Sequence, residues 1–220
     1  MKPLSAIVLA SAALCLSSVM AATVTVSTTA PTVNGADIAN LTGTSDANAN
    51  GDHGHLWNNR PHQGQSFTTG SNVGGYQINS VTLRSLSTNS GSQFNVVVGT
   101  LSGSTLTQIG TTEFATPPSY SNGQYITFTF DTPLTLAANT THAFLWGSAG
   151  AGFITSNNTD GTVYTGGTAI SSGDNNVPDL NNVITRSVDR TFHVDLVAVP
   201  EPSSALLAIL GGCFLLRRRR

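Results

Sequence analysis

Alternation of apolar and polar residues is the main pattern in the middle of this chain. Residues 125–130 show it most clearly, because every second residue is apolar and Ile126, Phe128 and Phe130 therefore share one face of a strand. That face is predicted to pack, and the opposite face to meet solvent. Eight segments rich in β-branched and aromatic residues are predicted strands: Thr23 to Ser27, Gln65 to Thr69, Tyr76 to Leu86, Gln93 to Leu101, Leu106 to Thr111, Gln124 to Phe130, Thr141 to Trp146 and Thr191 to Val199.

The predicted fold class is all-β. Clusters of Asn, Gly, Ser and Asp separate the strands, and no segment after residue 22 has the 3.6-residue period and the caps of a helix. Short strands with one buried face each close best into two stacked antiparallel sheets, so we expect a jelly-roll-like β-sandwich, with a barrel or a solenoid as alternatives. No repeat of fixed period supports a solenoid. Two polar segments, Asn34 to Gln63 and Thr155 to Asn182, are predicted loops.

Charge is scarce and unevenly placed. The formal net charge is -2, but between residues 23 and 199 only four arginines face ten acidic side chains, which leaves this part at about -6. It contains no lysine and no basic patch for phosphates, so nucleic-acid binding is disfavoured. Its abundant Ser, Thr, Asn and Gly make an uncharged, hydrated surface that suits a secreted β-protein and contact with polysaccharide.

Residues 1–22 have the layout of a secretory signal peptide. Lys2 supplies a positive start, Leu4 to Leu16 an apolar stretch, and the alanines at its end small residues suited to cleavage. Cys15 raises a lipoprotein alternative, which Leu14 disfavours because a lipobox has a small residue there. Removal of this segment, and of the tail that holds Cys213, would leave a domain over residues 23–199 without a disulfide.

Residues 200–220 form a second distinctive segment. It begins with Pro200, Glu201 and Pro202, continues with the almost wholly apolar residues 203–216, and ends with four arginines: Arg217, Arg218, Arg219 and Arg220. A helix of about 14 residues reaches about 21 Å, short of the roughly 30 Å hydrocarbon core of a bilayer, so it is a marginal span. The arginines would stay on the cytoplasmic side, which places the rest of the protein outside. The prolines favour an extended, accessible peptide at the outer face of that membrane.

This order of proline-flanked glutamate, short apolar span and basic end resembles a PEP-CTERM sorting signal, the C-terminal tag that an exosortase recognises and cuts. The resemblance covers residues 200–220. It implies that exosortase and the secretion machinery are partners, and that the apolar segment contacts the membrane until the tail is cut. The implied location is the cell envelope, cell surface or extracellular matrix of a bacterium. A chance amphiphilic tail or a final core helix is the alternative, although a core helix would not end in four bare arginines.

The body of the chain resembles a second family. Residues 65–70 read Q-S-F-T-T-G, residues 78–83 contain V-T-L, and residues 130–144 end in a late strand through His142 and Phe144. Together they are similar to the choice-of-anchor extracellular domains, particularly the type R group, with His142 as a mild departure from the expected aromatic. The resemblance implies a surface-displayed β-domain of unassigned activity, so it indicates a location better than a role.

Residues 46–52 offer oxygen ligands at every second position: Asp46, Asn48, Asn50 and Asp52. Hard calcium ions prefer such oxygens, and the glycine at the sixth position permits a tight loop. The bidentate glutamate that a twelve-residue calcium loop needs is replaced by Trp57. A solvated polar loop is therefore the alternative, and calcium is the one candidate cofactor.

Catalytic motifs are not apparent in the sequence. His53, His55 and His62 are a candidate transition-metal cluster, but no cysteine or patterned carboxylate accompanies them, so exposed loop histidines are the alternative. Glu113 is the only glutamate of the body, and there is no G-x-S-x-G elbow, no H-E-x-x-H motif and no recognisable carboxylate pair. We expect a protein that is not an enzyme.

Aromatic residues offer the remaining binding chemistry. Trp57, Tyr120 and Tyr164 stand in loop-like contexts, where an exposed ring can stack on the apolar face of a sugar; packing onto the rim of the sandwich is the alternative. Trp146 ends a predicted strand and is expected in the core. The leading expectation is an exported structural or adhesive component associated with exopolysaccharide. A lectin-like module that uses Trp57 and calcium is the alternative, and a glycan-active enzyme is the least favoured.

Overall fold

The computed structural model describes residues 21–43, 55–56, 61–88, 93–148, 153–156, 163–172 and 178–201, with the backbone alone at 55–56 and 153–154. The strands in these ranges are β1 Thr23–Ser27, β2 Ile38–Asn40, β3 His55–Leu56, β4 His62–Thr68, β5 Tyr76–Arg84, β6 Phe94–Ser102, β7 Thr105–Ala115, β8 Tyr125–Leu136, β9 Thr141–Ser148, β10 Phe153–Ile154, β11 Ala169–Ser172, β12 Val183–Thr185 and β13 Phe192–Ala198. The described ranges contain no helix, and so none that could cross a membrane. The predicted signal peptide and apolar tail lie almost wholly outside them.

Two antiparallel sheets pack face to face, so the fold is a β-sandwich, as the alternation of the sequence predicts. The first sheet has the strand order β1-β8-β5-β13-β2 and the second β12-β11-β4-β9-β6-β7, while β3 pairs separately with β10. From β4 to β9 each strand crosses to the other sheet, except at the β6–β7 hairpin, which is a jelly-roll-like path. All eight predicted strands overlap strands of the structure.

The main core fills the space between the two sheets. The predicted apolar face of β8 is buried in it, because Ile126, Phe128 and Phe130 expose no more than 6% of their surface. Trp146 is fully buried, as expected, and meets Phe94 and Phe128 edge to face at centroid distances of 5.2 and 5.9 Å. Removal of these aromatic surfaces from water is the main force that holds the sheets together.

A second apolar cluster covers the other face of the second sheet. Its buried members are Val97, Leu106, Ala143, Leu145, Ile170 and Val183. The chain around Leu180 closes over them, because Leu106 N donates to Leu180 O at 2.7 Å and Val183 N donates to Ser104 O at 2.8 Å. The strands β4, β6, β9 and β11 of the second sheet are therefore buried on both faces over most of their length, and the expectation of one buried face per strand is wrong for them.

Both predicted loops contain strands. The segment from Asn34 to Gln63 includes β2, β3 and the start of β4, and the segment from Thr155 to Asn182 includes β11. β2 pairs with β13 at the edge of the first sheet, where Asn40 Nδ2 also donates to Arg190 O at 3.1 Å. These strands are short and polar, so their partner strands decide the pairing rather than any pattern of their own.

Candidate functional site

The chain leaves the sandwich directly after β13. Val199 N donates to Gly75 O at 3.0 Å, and Asn72 Nδ2 donates to the carbonyl oxygens of Val199 and Gly75 at 2.9 and 2.5 Å. A Cβ atom on Gly74 would overlap Val199 O, so only glycine lets the turn approach this closely. Pro200, the next residue, is exposed. The turn at residues 72–75 thus fixes the place where the last strand ends, which we call the exit pole.

A cavity of about 230 Å³ lies at the other end of the sandwich. Its lining mixes polar and apolar side chains: Pro61, Ser171, Ser172, Asp179, Asn182, Ile184 and Arg186. β4 begins beside this cavity and ends near the exit pole, where a Cβ atom on Gly70 would meet the Tyr76 hydroxyl. The 7 residues of β4, at about 3.3 Å each, separate the two ends by about 20 Å. We call the cavity end the pocket pole.

Hydrogen bonds fix the polar wall of the cavity. Arg186 donates from Nε and Nη2 to Ser171 Oγ at 3.0 and 2.6 Å. Ser172 Oγ donates to Asp179 O at 2.5 Å, and Asn181 N donates to Asp179 Oδ1 at 3.0 Å. Both serines are 1% exposed, so they form a rigid floor for the exposed groups above them. Fixed donors and acceptors beside apolar surface are the usual composition of a site for a small polar ligand.

A buried polar network lies behind the pocket pole. Asp189 Oδ2 accepts hydrogen bonds from Val163 N and Tyr164 N at 2.6 and 2.7 Å, and Asp189 Oδ1 accepts one from Gln65 Nε2 at 3.0 Å. Gln65 Oε1 in turn accepts from Arg190 N at 2.9 Å. Asp189 and Arg190 are fully buried. The network ties β4 to the chain that precedes β13, and its role is structural.

The two predicted sugar-binding tyrosines within the described residues are not at the cavity. Tyr120 is only 2% exposed and packs against Phe94 at a centroid distance of 6.2 Å, so it is a core residue. The prediction that its ring stacks on a sugar is therefore wrong. Tyr164 is half-buried and meets Phe192 edge to face at 5.4 Å. Burial raises the pKa of the Tyr164 hydroxyl. Trp57, the third candidate, lies outside the described residues.

The predicted calcium ligands Asp46, Asn48, Asn50 and Asp52 also lie outside the described residues, as do Pro202 and the arginines from Arg217 to Arg220. Within the described ranges, no three His, Cys, Asp or Glu side chains come together as a metal site would require. His62 is buried, and its Nε2 lies 2.6 Å from Asn95 Oδ1. Burial lowers the pKa of His62, so its imidazole is neutral near pH 7.

Glu113 forms a carboxyl pair with Asp131 between β7 and β8. It is 8% exposed, and its Oε2 accepts a hydrogen bond from Asp131 N at 2.9 Å. Burial, opposed by that hydrogen bond and helped by the nearby Asp131 carboxyl group, raises the pKa of Glu113 to about 7. The two side chains are themselves hydrogen-bonded. They are therefore too close to flank a glycosidic bond, for which carboxyl groups need at least about 5 Å.

The Glu113 pair predicts an unusual pH dependence of stability. The folded protein holds this proton more tightly than the unfolded chain, whose glutamate pKa is near 4.5, so the free energy of unfolding should fall as pH rises from about 4.5 to about 7. Glu113→Gln mimics the protonated form and should remove this fall. At about pH 8 we expect the variant to be about 1–2 kcal/mol more stable than wild type, after allowance for screening by water.

Urea unfolding at a series of pH values measures this effect. Near pH 4 the variant and the wild type should unfold at similar urea concentrations, because both side chains are then neutral. Equal stability of the two proteins across the whole series would contradict the prediction.

Sequence reasoning missed the cavity residues because they carry no local motif. One signal was present: Arg186 is one of only four arginines between residues 23 and 199, and it lies in a polar segment close to Asp179. In a domain with so few cations, an isolated arginine is expected to make specific hydrogen bonds or ion pairs.

No protein-family model, no curated protein and no solved structure matches this chain. The fold and the site alone define the class of this protein. It is an antiparallel β-sandwich with a polar cavity at one pole and the end of the last strand at the other.

Proposed function

We propose that this protein is exported and sorted by an exosortase through Pro200-Glu201-Pro202 and the tail behind it, as a protein of the cell envelope, cell surface or extracellular matrix of a bacterium. There it has a structural or adhesive role associated with exopolysaccharide, and it is not an enzyme. The observation that carries the proposal is the position of the triplet, which begins at the residue after Val199, the last one bonded to the 72–75 turn.

The exit pole supports recognition of the triplet by an enzyme at the membrane. Such an enzyme needs an accessible peptide, and Pro200 is exposed and unable to donate a backbone hydrogen bond, while Glu201 is partly buried. Asn72 Nδ2 donates to the carbonyl oxygen of Val199, so the position of the chain directly before Pro200 is fixed and the end of β13 does not fray.

The distance between the poles supports an adhesive role. If the processed chain end at the exit pole is the point of attachment, the pocket pole lies about 20 Å away from it. Polar groups with fixed geometry would then face the surroundings of the cell. The net charge of about -6 between residues 23 and 199 and the absence of lysine there favour an uncharged partner such as a neutral polysaccharide over nucleic acid.

The test is the intact mass and the cell fraction of the protein from the organism that makes it. Mature wild-type protein should lack the tail. Glu201→Ala should keep the tail and be found in the wrong cell fraction. A deletion of residues 203–220 should also be found in the wrong cell fraction. Asp195→Ala is the matched control, because it removes an acidic side chain on β13 and leaves the triplet intact. A wild-type protein that still carries Arg217 to Arg220 would mean that the tail is only a weak anchor, and the sorting proposal would be wrong.

The cavity favours a second candidate function, a lectin-like module. The form of this alternative that the sequence predicts uses Trp57 as a stacking platform and calcium at Asp46. Binding to a glycan array that is lost in Trp57→Ala and in the presence of a chelator would support that form. Binding that survives both changes would remove Trp57 and calcium from the mechanism. A glycan-active enzyme, the third candidate, would require turnover of a polysaccharide that depends on Glu113 or on a single aspartate.

A further inference from the structure

The cavity at the pocket pole has the chemistry of a site for one sugar ring. Its volume of about 230 Å³ lies below the roughly 300–1,000 Å³ of sites for drug-sized ligands, which leaves room for about one sugar ring inside it. Its floor is built from Ser171 and Ser172, which are buried and already hydrogen-bonded. The shape of the cavity is therefore set before any ligand arrives, which lowers the entropy lost on binding.

The polar groups of the cavity suit hydroxyl groups. A sugar hydroxyl both donates and accepts hydrogen bonds. The Asp179 carboxylate accepts, the Arg186 guanidinium donates, and the Asn182 side-chain amide does both. Asn181 N fixes the Asp179 carboxylate from one side, at 3.0 Å from Oδ1. Neighbouring hydroxyls of one ring can engage these groups together.

The apolar part of the lining suits the other face of a sugar. Ile184 is 47% exposed and Pro61 lies across the same cavity. The C–H groups on one face of a pyranose need apolar contact of this kind, while its hydroxyls point to the rim. An inorganic ion would leave the Ile184 surface without a partner, which argues for a ligand with one apolar face.

Charge selects the sugar class. Arg186 and Asp179 offset one another within the cavity, and the surrounding domain is acidic, with ten acidic side chains against four arginines between residues 23 and 199. Nε and Nη2 of Arg186 already donate to Ser171 Oγ, so a uronic acid would gain little from this guanidinium and would meet the Asp179 carboxylate and the negative charge of the domain. We propose that the cavity lined by Asp179, Asn182, Ile184 and Arg186 binds a single neutral pyranose, at a chain end or branch of a polysaccharide. This inference rests on the proposed association with exopolysaccharide, and it assigns that association to a site other than Trp57.

The experiment is an NMR titration of the mature protein with D-glucose, D-galactose, D-mannose and D-glucuronate. At least one neutral sugar should shift signals from residues 171–186, with a dissociation constant on the order of 1 mM, the affinity expected for so small a ligand. Asn182→Ala should weaken this binding by about 10-fold or more, because it removes an amide that meets the ring. Asn181→Ala is the matched control, since its backbone N–H remains and its side chain does not line the cavity.

Three outcomes would overturn the inference: no sugar shifts these signals, D-glucuronate binds more tightly than every neutral sugar, or the two alanine variants lose affinity equally. Thermal unfolding of both variants checks that each is folded. The titration does not depend on removal of the tail. A failure of sugar binding would therefore leave the sorting proposal intact, and a failure of sorting would leave the sugar-binding inference testable.

Discussion

Asp189→Ala should lower the free energy of unfolding by about 3–5 kcal/mol, because it leaves one buried and two partly buried donors without their acceptor. The Asp189 carboxylate accepts hydrogen bonds from Val163 N, Tyr164 N and Gln65 Nε2, all between 2.6 and 3.0 Å, and no part of it is exposed. The bond to Gln65 is fully buried, so water cannot reach it directly, whereas the bonds to Val163 N and Tyr164 N are partly buried. A loss of this size is a large fraction of the total stability of a domain.

Asp189→Asn separates the loss of acceptors from the loss of charge. Asparagine keeps one oxygen for the backbone N–H groups of Val163 and Tyr164, but places an NH₂ group opposite the Gln65 amide. We expect a smaller loss, about 1–2 kcal/mol. Urea unfolding of both variants measures the difference. If Asp189→Ala unfolds within about 1 kcal/mol of wild type, the network does not have the structural role assigned to it.

The fold was predictable because its long strands carry a local pattern. β1 was predicted with its observed bounds, Thr23–Ser27, and the buried face of β8 followed from the period of two in residues 125–130. β-branched and aromatic residues at alternate positions suit a pleated surface with one buried face. For β1 and the first half of β8 this pattern was sufficient, whereas the short strand β12, with Val183 buried and its other two residues exposed, was not predicted.

The second core was missed because strands buried on both faces do not alternate. Val96, Val97 and Val98 are all buried, the outer two in the main core and Val97 in the second cluster. A continuous apolar run is the signature of such a strand, and it was present in the sequence. What covers the outer face is the chain near Leu180, in a segment predicted as loop. That contact joins residues distant in sequence, which no local pattern records.

The candidate site was unpredictable for the same reason. Pro61 lies more than a hundred residues before Ser171, and the two meet because β4 and β11 pair in the second sheet. β11 itself reads Ala-Ile-Ser-Ser, too short and too polar to be recognised alone. The exit pole was more accessible to prediction, because the triplet at residues 200–202 and the tail behind it are contiguous and need no partner.

β4 connects the two poles, and Gly64 is the residue of β4 least able to change. A Cβ atom on Gly64 would overlap the carbonyl oxygen of Phe144 on β9, so it meets backbone rather than a side chain that can turn away. β4 lies between β9 and β11, and neither neighbour can move without disturbing the core behind it. Gly64→Ala should therefore cost about 4 kcal/mol or more, or prevent folding, through separation of β4 from β9.

Gly103→Ala distinguishes this clash from the general cost of replacing glycine. Gly103 has a φ of 59°, which strains an alanine, but a Cβ atom there would meet nothing within 4 Å. Its expected cost is about 1 kcal/mol. Soluble yield and urea unfolding of the two variants give the comparison. Equal costs would mean that β4 and β9 can part without penalty, and a strand so loosely held could not keep the cavity and the exit at fixed opposite ends of the sandwich.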